Sequence, residues 1–216
     1  ACWGCMVSFF CQLFCLGRLA PGRTRRAGAM LVGVDQVLLD LVVEVDDDLE
    51  IFERYGIERN TQTLAEARHS TLIEDLLSRA QQGAKDADGE ARAPVRTTPG
   101  GVISNSLRAA AWWHRRHPPE QPLALRMLGR VAEDDAAERM RRELRAAGVE
   151  PLFDTAPSSE AGSRTGVCCC LIAGKERTMV TELGAGRSLG LGGKLGDHIK
   201  WVAGCSGAAP SMPWMV

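Results

Sequence analysis

From Leu31 to Val43 the chain is almost continuously apolar and β-prone (LVGVDQVLLDLVV), interrupted by Asp35 and Asp40. That pattern predicts one long or broken strand with polar groups at its end. The period then changes. Asp46, Asp47 and Asp48 stand where they would cap a short helix with Leu49, Phe52 and Tyr55 on one face and Gly56 at its close. Between about Leu64 and Gln82, the positions His69, Leu72, Ile73, Leu76 and Leu77 recur at i, i+3, i+4, i+7 and i+8, which predicts a second helix with His69 on its face rather than a ligand. Residues 83–95 are polar and aperiodic and read as a surface loop. Pro99-Gly100-Gly101 breaks the chain before an Ala-rich helix, VISNSLRAAAWWHRR, which Pro118 and Pro119 stop. A strand over 123–128, a turn at Gly129 and a helix with Ala137, Met140, Leu144 and Ala147 facing inward follow, with Gly148 just past the helix end. Residues 167–173 and 178–183, joined by Gly174-Lys175-Glu176-Arg177, read as a hairpin. The alternation of strand and helix predicts parallel βαβ units and the α/β class.

Composition narrows the partners more than the fold. Of 216 residues 45% are hydrophobic and 25% charged, and 26 Lys and Arg stand against 27 Asp and Glu for a net charge of -1. A chain of this length buries roughly 70% of its unfolded surface without disulfides or a structural metal. The near-neutral balance points away from nucleic acid, which selects a basic footprint. Residues 1–29 differ from the rest: Arg18, Arg23, Arg25 and Arg26 are joined by no acid, and Cys2, Cys5, Cys11 and Cys15 fall among Phe and Leu. The apolar run there is too short to span a bilayer and its charge follows the run instead of preceding it, so no membrane span or secretory signal is expected. The segment reads as a non-native leader or a transit-like segment, with Met30 a candidate start and the folded domain over 30–216. The many unpaired thiols suit a reducing compartment such as the cytoplasm.

Candidate chemistry gathers around Gly100 and Gly101. Paired glycines at a helix start let a ligand approach the backbone, and the N–H groups of a first turn carrying Ser104, Asn105 and Ser106 favour hydroxyl or anionic partners; a plain tight turn is the alternative. Trp112 and Trp113 are expected to pack, and His114 and His117 to face solvent with Arg115 and Arg116. Cys168, Cys169 and Cys170 alternate faces of their strand, so neighbours cannot jointly hold a metal and no metal site is expected; they read as buried or pocket-lining thiols. The glycine-rich run 190–197 lacks the first Gly and the final Ser/Thr of a phosphate loop.

Three segments resemble the ribokinase (PfkB) family of carbohydrate and nucleoside kinases, and within it the adenosine kinase branch. VLLDLVVEVDDDLEIFERYGIERNTQTLAE (37–66) is similar to the family's opening strand and lid segment, PGGVISNSLRAAAWW (99–113) to its Gly-Gly-x-x-x-Asn signature, and RTGVCCCLIAGKERTMVTELGAG (164–186) to the lid hairpin of that branch. The resemblance implies a ribokinase-like three-layer α/β/α sandwich with a small β-sheet lid, built from about 38–66 and 150–186. It implies a small-molecule substrate, adenosine, phosphorylated on its 5′-hydroxyl by ATP with Mg²⁺ in purine salvage by a protein monomeric when whole. By the same resemblance Asp40 accepts the ribose hydroxyls, and Gly100, Gly101 and Asn105 hold the sugar from the helix start. Leu38, Gln62 and Cys168 line the nucleoside pocket, and Arg177 leans toward the transferred phosphate.

Two departures qualify what is implied. Gln36-Val37 stands where that branch shows Asn-Pro before Leu-Leu-Asp. The family's Gly-Ala-Gly-Asp, which supplies anion hole and catalytic base, does not occur, since the Gly-Ala-Gly at 184–186 is followed by Arg187. The expectation is therefore an N-terminal portion with the C-terminal half missing, no catalytic residue within it and no turnover alone. The alternatives are another sugar or nucleoside kinase of the family, or a non-catalytic nucleoside-binding remnant.

Overall fold

The apolar run at 31–43 is broken, the second of the two expected forms, and its two strands enter different sheets. A computed structural model of the chain describes residues 13–18, 29–45, 49–82, 93–118, 123–157, 160, 164–189 and 196–197. The expected cap at Asp46–Asp48, most of the loop 83–95 and the glycine-rich run up to Leu195 lie outside the described residues. In chain order the elements are β1 (Leu13–Arg18), β2 (Ala29–Val34), β3 (Leu38–Glu44), α1 (Leu49–Tyr55), β4 (Gln62–Leu64), α2 (Ser70–Gln82), β5 (Arg96–Pro99), α3 (Val102–Arg116), β6 (Leu123–Val131), α4 (Asp135–Ala146), β7 (Glu150–Thr155), β8 (Gly166–Ala173) and β9 (Glu176–Glu182). The expected α/β class holds.

The first sheet has the order β1-β2-β6-β7 and the second β4-β9-β8-β3-β5. In the first, β2, β6 and β7 run parallel, and α4 makes the crossover of a βαβ unit between β6 and β7. β1 lies inside the segment that composition sets apart, and it pairs antiparallel with β2. The expected lid segments 38–66 and 150–186 supply β3, β4, β8 and β9 to the second sheet, joined there by β5; β7 is the exception, pairing with β6 in the first. Gly129, expected to turn, sits inside β6, where a β-carbon would strike Val37 Cγ2 and the Asp35 carbonyl. The close crossing of the link from β2 to β3 is the reason for glycine there.

Buried Leu41, Leu72, Leu76, Ile103, Leu107, Met127, Met140, Leu144, Cys169 and Leu171 form one core reaching both sheets. Helix α3 packs on β2 and β6, α4 on β7 and β5, and α2 on β3 and β8. The α2 region starts later than expected, because β4 and a 3-10 turn at Ala67–His69 precede it. His69 is buried, and its Nδ1 accepts the Glu66 N–H at 2.9 Å, so it caps that turn. The two tryptophans do not pack inward: Trp112 and Trp113 are 48% and 58% exposed. Arg116 lies 4.5 Å over the Trp112 ring, and Trp113 stacks on His117 at a 4.0 Å centroid separation. Amphipathic rings of this size cover their own turn while keeping one side wet.

Candidate functional site

Strand parity explains how the expected site residues meet. Side chains alternate along a strand, so cross-strand partners share a face with each other and with residues two positions away. Thr98, Asp40, Cys168 and Thr181 are successive partners across β5, β3, β8 and β9. The adjacent row on the same face is Arg96, Val42, Cys170, Met179 and Gln62. Leu38 lies on this face one step before Asp40, and Arg177 one step beyond Met179. Five expected residues, Leu38, Asp40, Gln62, Cys168 and Arg177, thus share one face. The opposite face, with Leu39, Leu41, Val43, Cys169 and Leu171, belongs to the core.

Gly100, Gly101 and Asn105 come to the same corner from α3. The Gly100 N–H donates to the Leu38 carbonyl at 2.8 Å, and a β-carbon at Gly100 would overlap the Asp40 carboxylate. Gly101, with φ 85° and ψ 152°, occupies a region open only to glycine and turns the chain into the helix. Arg108 Nη1 donates to the Pro99 carbonyl at 3.0 Å and to Asn105 Oδ1 at 3.2 Å, tying Asn105 to the end of β5.

The free helix start expected at Gly101 is only partly free. Asp35, expected as a strand interruption, is buried, and its Oδ2 accepts the Ile103 N–H at 3.3 Å while Oδ1 accepts the Gln36 N–H at 2.8 Å. A carboxylate already sits on the positive end of α3. Burial raises the Asp35 carboxyl above its ordinary range, against the pull of those two backbone bonds. The sequence signal was the polar pair Asp35-Gln36 between apolar runs, which marks a break; its helix partner needed tertiary information.

Asp40 is the most perturbed acid at the site. Burial pushes its carboxyl up to about 6, opposed by the positive charges of Arg177 and Arg108. An acid poised there is ionised at neutral pH yet poorly hydrated, the condition in which it gains most from hydroxyl donors. Cys169, on the core face, is pushed up to about 12 mainly by burial.

The thiols expected to line the pocket without holding a metal divide between the two faces of β8. Adjacent thiols do point apart, but Cys168 and Cys170 share a face, and together with Asp40 they bring three ligand atoms within 4.8 Å of one another. Parity made the thiol pair readable; the third ligand depends on the register of β3 with β8.

A model of the pfkB family of carbohydrate kinases matches residues 73–190. An adenosine kinase from Schizophyllum commune is 31% identical over 148 residues, covering 68% of this chain and 36% of that protein. Adenosine kinase 2 of Arabidopsis thaliana is 26% identical over 171 residues, covering 79% of this chain and 41% of that protein. The chain thus spans about two-fifths of the length of these relatives. Among solved structures, an adenosine kinase from Schistosoma mansoni in complex with 2-fluoroadenosine superposes with a TM-score of 0.61 at 21% identity, over 80% of this chain and 43% of that one. That likeness shows the fold: a ribokinase-like α/β arrangement of which this chain covers part.

Proposed function

The chain belongs to the pfkB family of carbohydrate kinases, and on that premise we propose that the polar face of its second sheet binds a nucleoside, adenosine, as part of an adenosine kinase that phosphorylates the 5′-hydroxyl in purine salvage. The observation that supports this reading is the convergence of Asp40, Gly100 and the start of α3 at one end of a face that also carries Leu38, Gln62 and Cys168. The carboxylate of Asp40 accepts hydrogen bonds from two vicinal hydroxyls, and the two glycines let the sugar approach the backbone. Leu38 and Cys168 offer the apolar wall a purine needs, and Gln62 offers an amide able to donate and accept at the base edge. Arg177, across the face from Asp40, adds positive charge where a phosphoryl group would approach.

ATP and Mg²⁺ belong to the family reaction. The candidate cation cluster among the described residues has two sulfur ligands in three, which does not suit Mg²⁺, a cation that takes oxygen. The residues of this chain hold and orient the nucleoside.

Titration calorimetry of the chain with adenosine tests the reading. Asp40→Ala is expected to weaken binding roughly 10- to 150-fold, the 1.5–3 kcal/mol of a hydrogen bond to a charged acceptor. Unchanged affinity would remove Asp40 from the site. Binding of a free sugar in preference to adenosine would move the reading to a sugar kinase of the same family.

A further inference from the structure

We propose that Asp40, Cys168 and Cys170 form a binding site for a soft divalent cation of the zinc class, and that cation and sugar hydroxyls compete for Asp40. The cation site stands on its own geometry; the competition rests on the reading of Asp40 given above.

The three groups supply three of the four ligands that zinc takes. Cys168 Sγ and Cys170 Sγ lie 3.7 Å apart. Two thiolates held by one zinc at about 2.3 Å each, at a tetrahedral angle, are about 3.8 Å apart, so the sulfurs already stand at bonding separation. The carboxylate oxygen of Asp40 supplies the third ligand, within 4.8 Å of both sulfurs, and comes from the neighbouring strand in direct register with Cys168. Both cysteines are buried and the three groups rise from a hydrogen-bonded pair of strands, so little ordering remains to be done on binding. The Thr181 hydroxyl donates to Cys168 Sγ at 3.3 Å, the kind of outer partner that orients a metal-bound thiolate. Two thiolates and an oxygen select zinc over magnesium or calcium, which take oxygen ligands alone.

Charge is also provided for. Binding releases the two thiol protons to solvent, so a divalent ion meets three negative ligands and leaves one net negative charge. Arg177 acts electrostatically on Asp40, Cys168 and Cys170 alike and offsets that charge. With Asp40 ligating, a sugar diol loses its ionised acceptor, and the two ligands exclude one another.

Cobalt(II) titration tests the site, because thiolate ligation gives cobalt an intense charge-transfer absorption. In the full chain with Cys2, Cys5, Cys11, Cys15 and Cys205 changed to serine, that absorption should saturate at one cobalt per chain. Cys168→Ser and Cys170→Ser should each weaken it at least 10-fold, with Cys169→Ser close to the parent. An absorption indifferent to Cys168→Ser and Cys170→Ser overturns the site. In the unsubstituted chain, zinc should slow alkylation of Cys168 and Cys170 relative to Cys169 in the same peptide; equal rates for all three overturn it as well. Saturating adenosine should raise the cobalt needed for half-saturation at least 10-fold. If cobalt binds through both thiols but ignores adenosine, the thiol pair stands and the shared use of Asp40 is overturned.

Discussion

The two sheets use alternation in opposite ways. In the first, Met30, Val32, Val34 and Leu128 are buried on one face, while Leu125 and Met127 are buried against α3 on the other. Parallel strands covered on both sides are largely apolar, and here the charged exceptions, Arg126 and Arg130 of β6, are only half-buried. In the second sheet Leu39, Leu41, Val43, Cys169 and Leu171 fill one face, and Asp40, Cys168, Cys170, Gln62 and Arg177 occupy the other. The lesson is that chemistry collects where a strand keeps one face out of the core. A carboxylate tolerated at position 40 would have no place at the neighbouring positions 39 or 41.

Core truncation is the harshest way to sharpen that contrast. Leu41→Ala removes a side chain with no exposure from the core face of β3 and should cost about 2–5 kcal/mol in denaturant unfolding. A loss below 1 kcal/mol would mean that the two faces of β3 are not distinct.

On the polar face, a substitution one residue away should act in the opposite direction. The Asp40 carboxyl is raised to about 6 from an unfolded value of 3.8, so the folded state binds its proton more tightly. Stability falls as pH rises through that window, and the full penalty, about 3 kcal/mol, is present above it. Asp40→Asn should therefore stabilise the chain at pH 7.5, with the gain fading as pH drops from about 6 to 4. A pH-independent gain would show that the effect is not electrostatic.

The smallest expected effect lies at the corner joining the two regions. Gly101→Ala places a β-carbon on backbone that only glycine adopts and should cost about 1–3 kcal/mol. An unchanged unfolding midpoint would show that the start of α3 relaxes freely and does not fix the position of the helix against Asp40.

The helices and the hairpin were readable because their periods are local. Leu72, Ile73 and Leu76 announce α2, and Ala137, Met140 and Leu144, all buried, announce α4. What was not readable depends on register between distant strands. The division of 31–43 between two sheets, the role of Asp35 at α3 and the meeting of Asp40 with Cys170 all require knowing which strand lies beside which. Trp112 and Trp113 misled for a different reason: large apolar surface usually goes inside, and here neighbouring Arg116 and His117 provide the cover locally.

The parallel pairing of β3 with β8 also bears on synthesis. Leu38 and Gly166 are partners roughly 130 residues apart, whereas β5, on the other side of β3, is made far sooner. At about 5–20 residues per second, one edge of β3 waits on the order of ten seconds on the ribosome for its mate. During that interval it offers unpaired backbone to any extended neighbour, and charge set within an apolar strand is a device that discourages such pairing. On that argument, replacing Asp40 with an apolar residue should show as aggregation during translation, read as a shift of freshly made protein from the supernatant to the pellet.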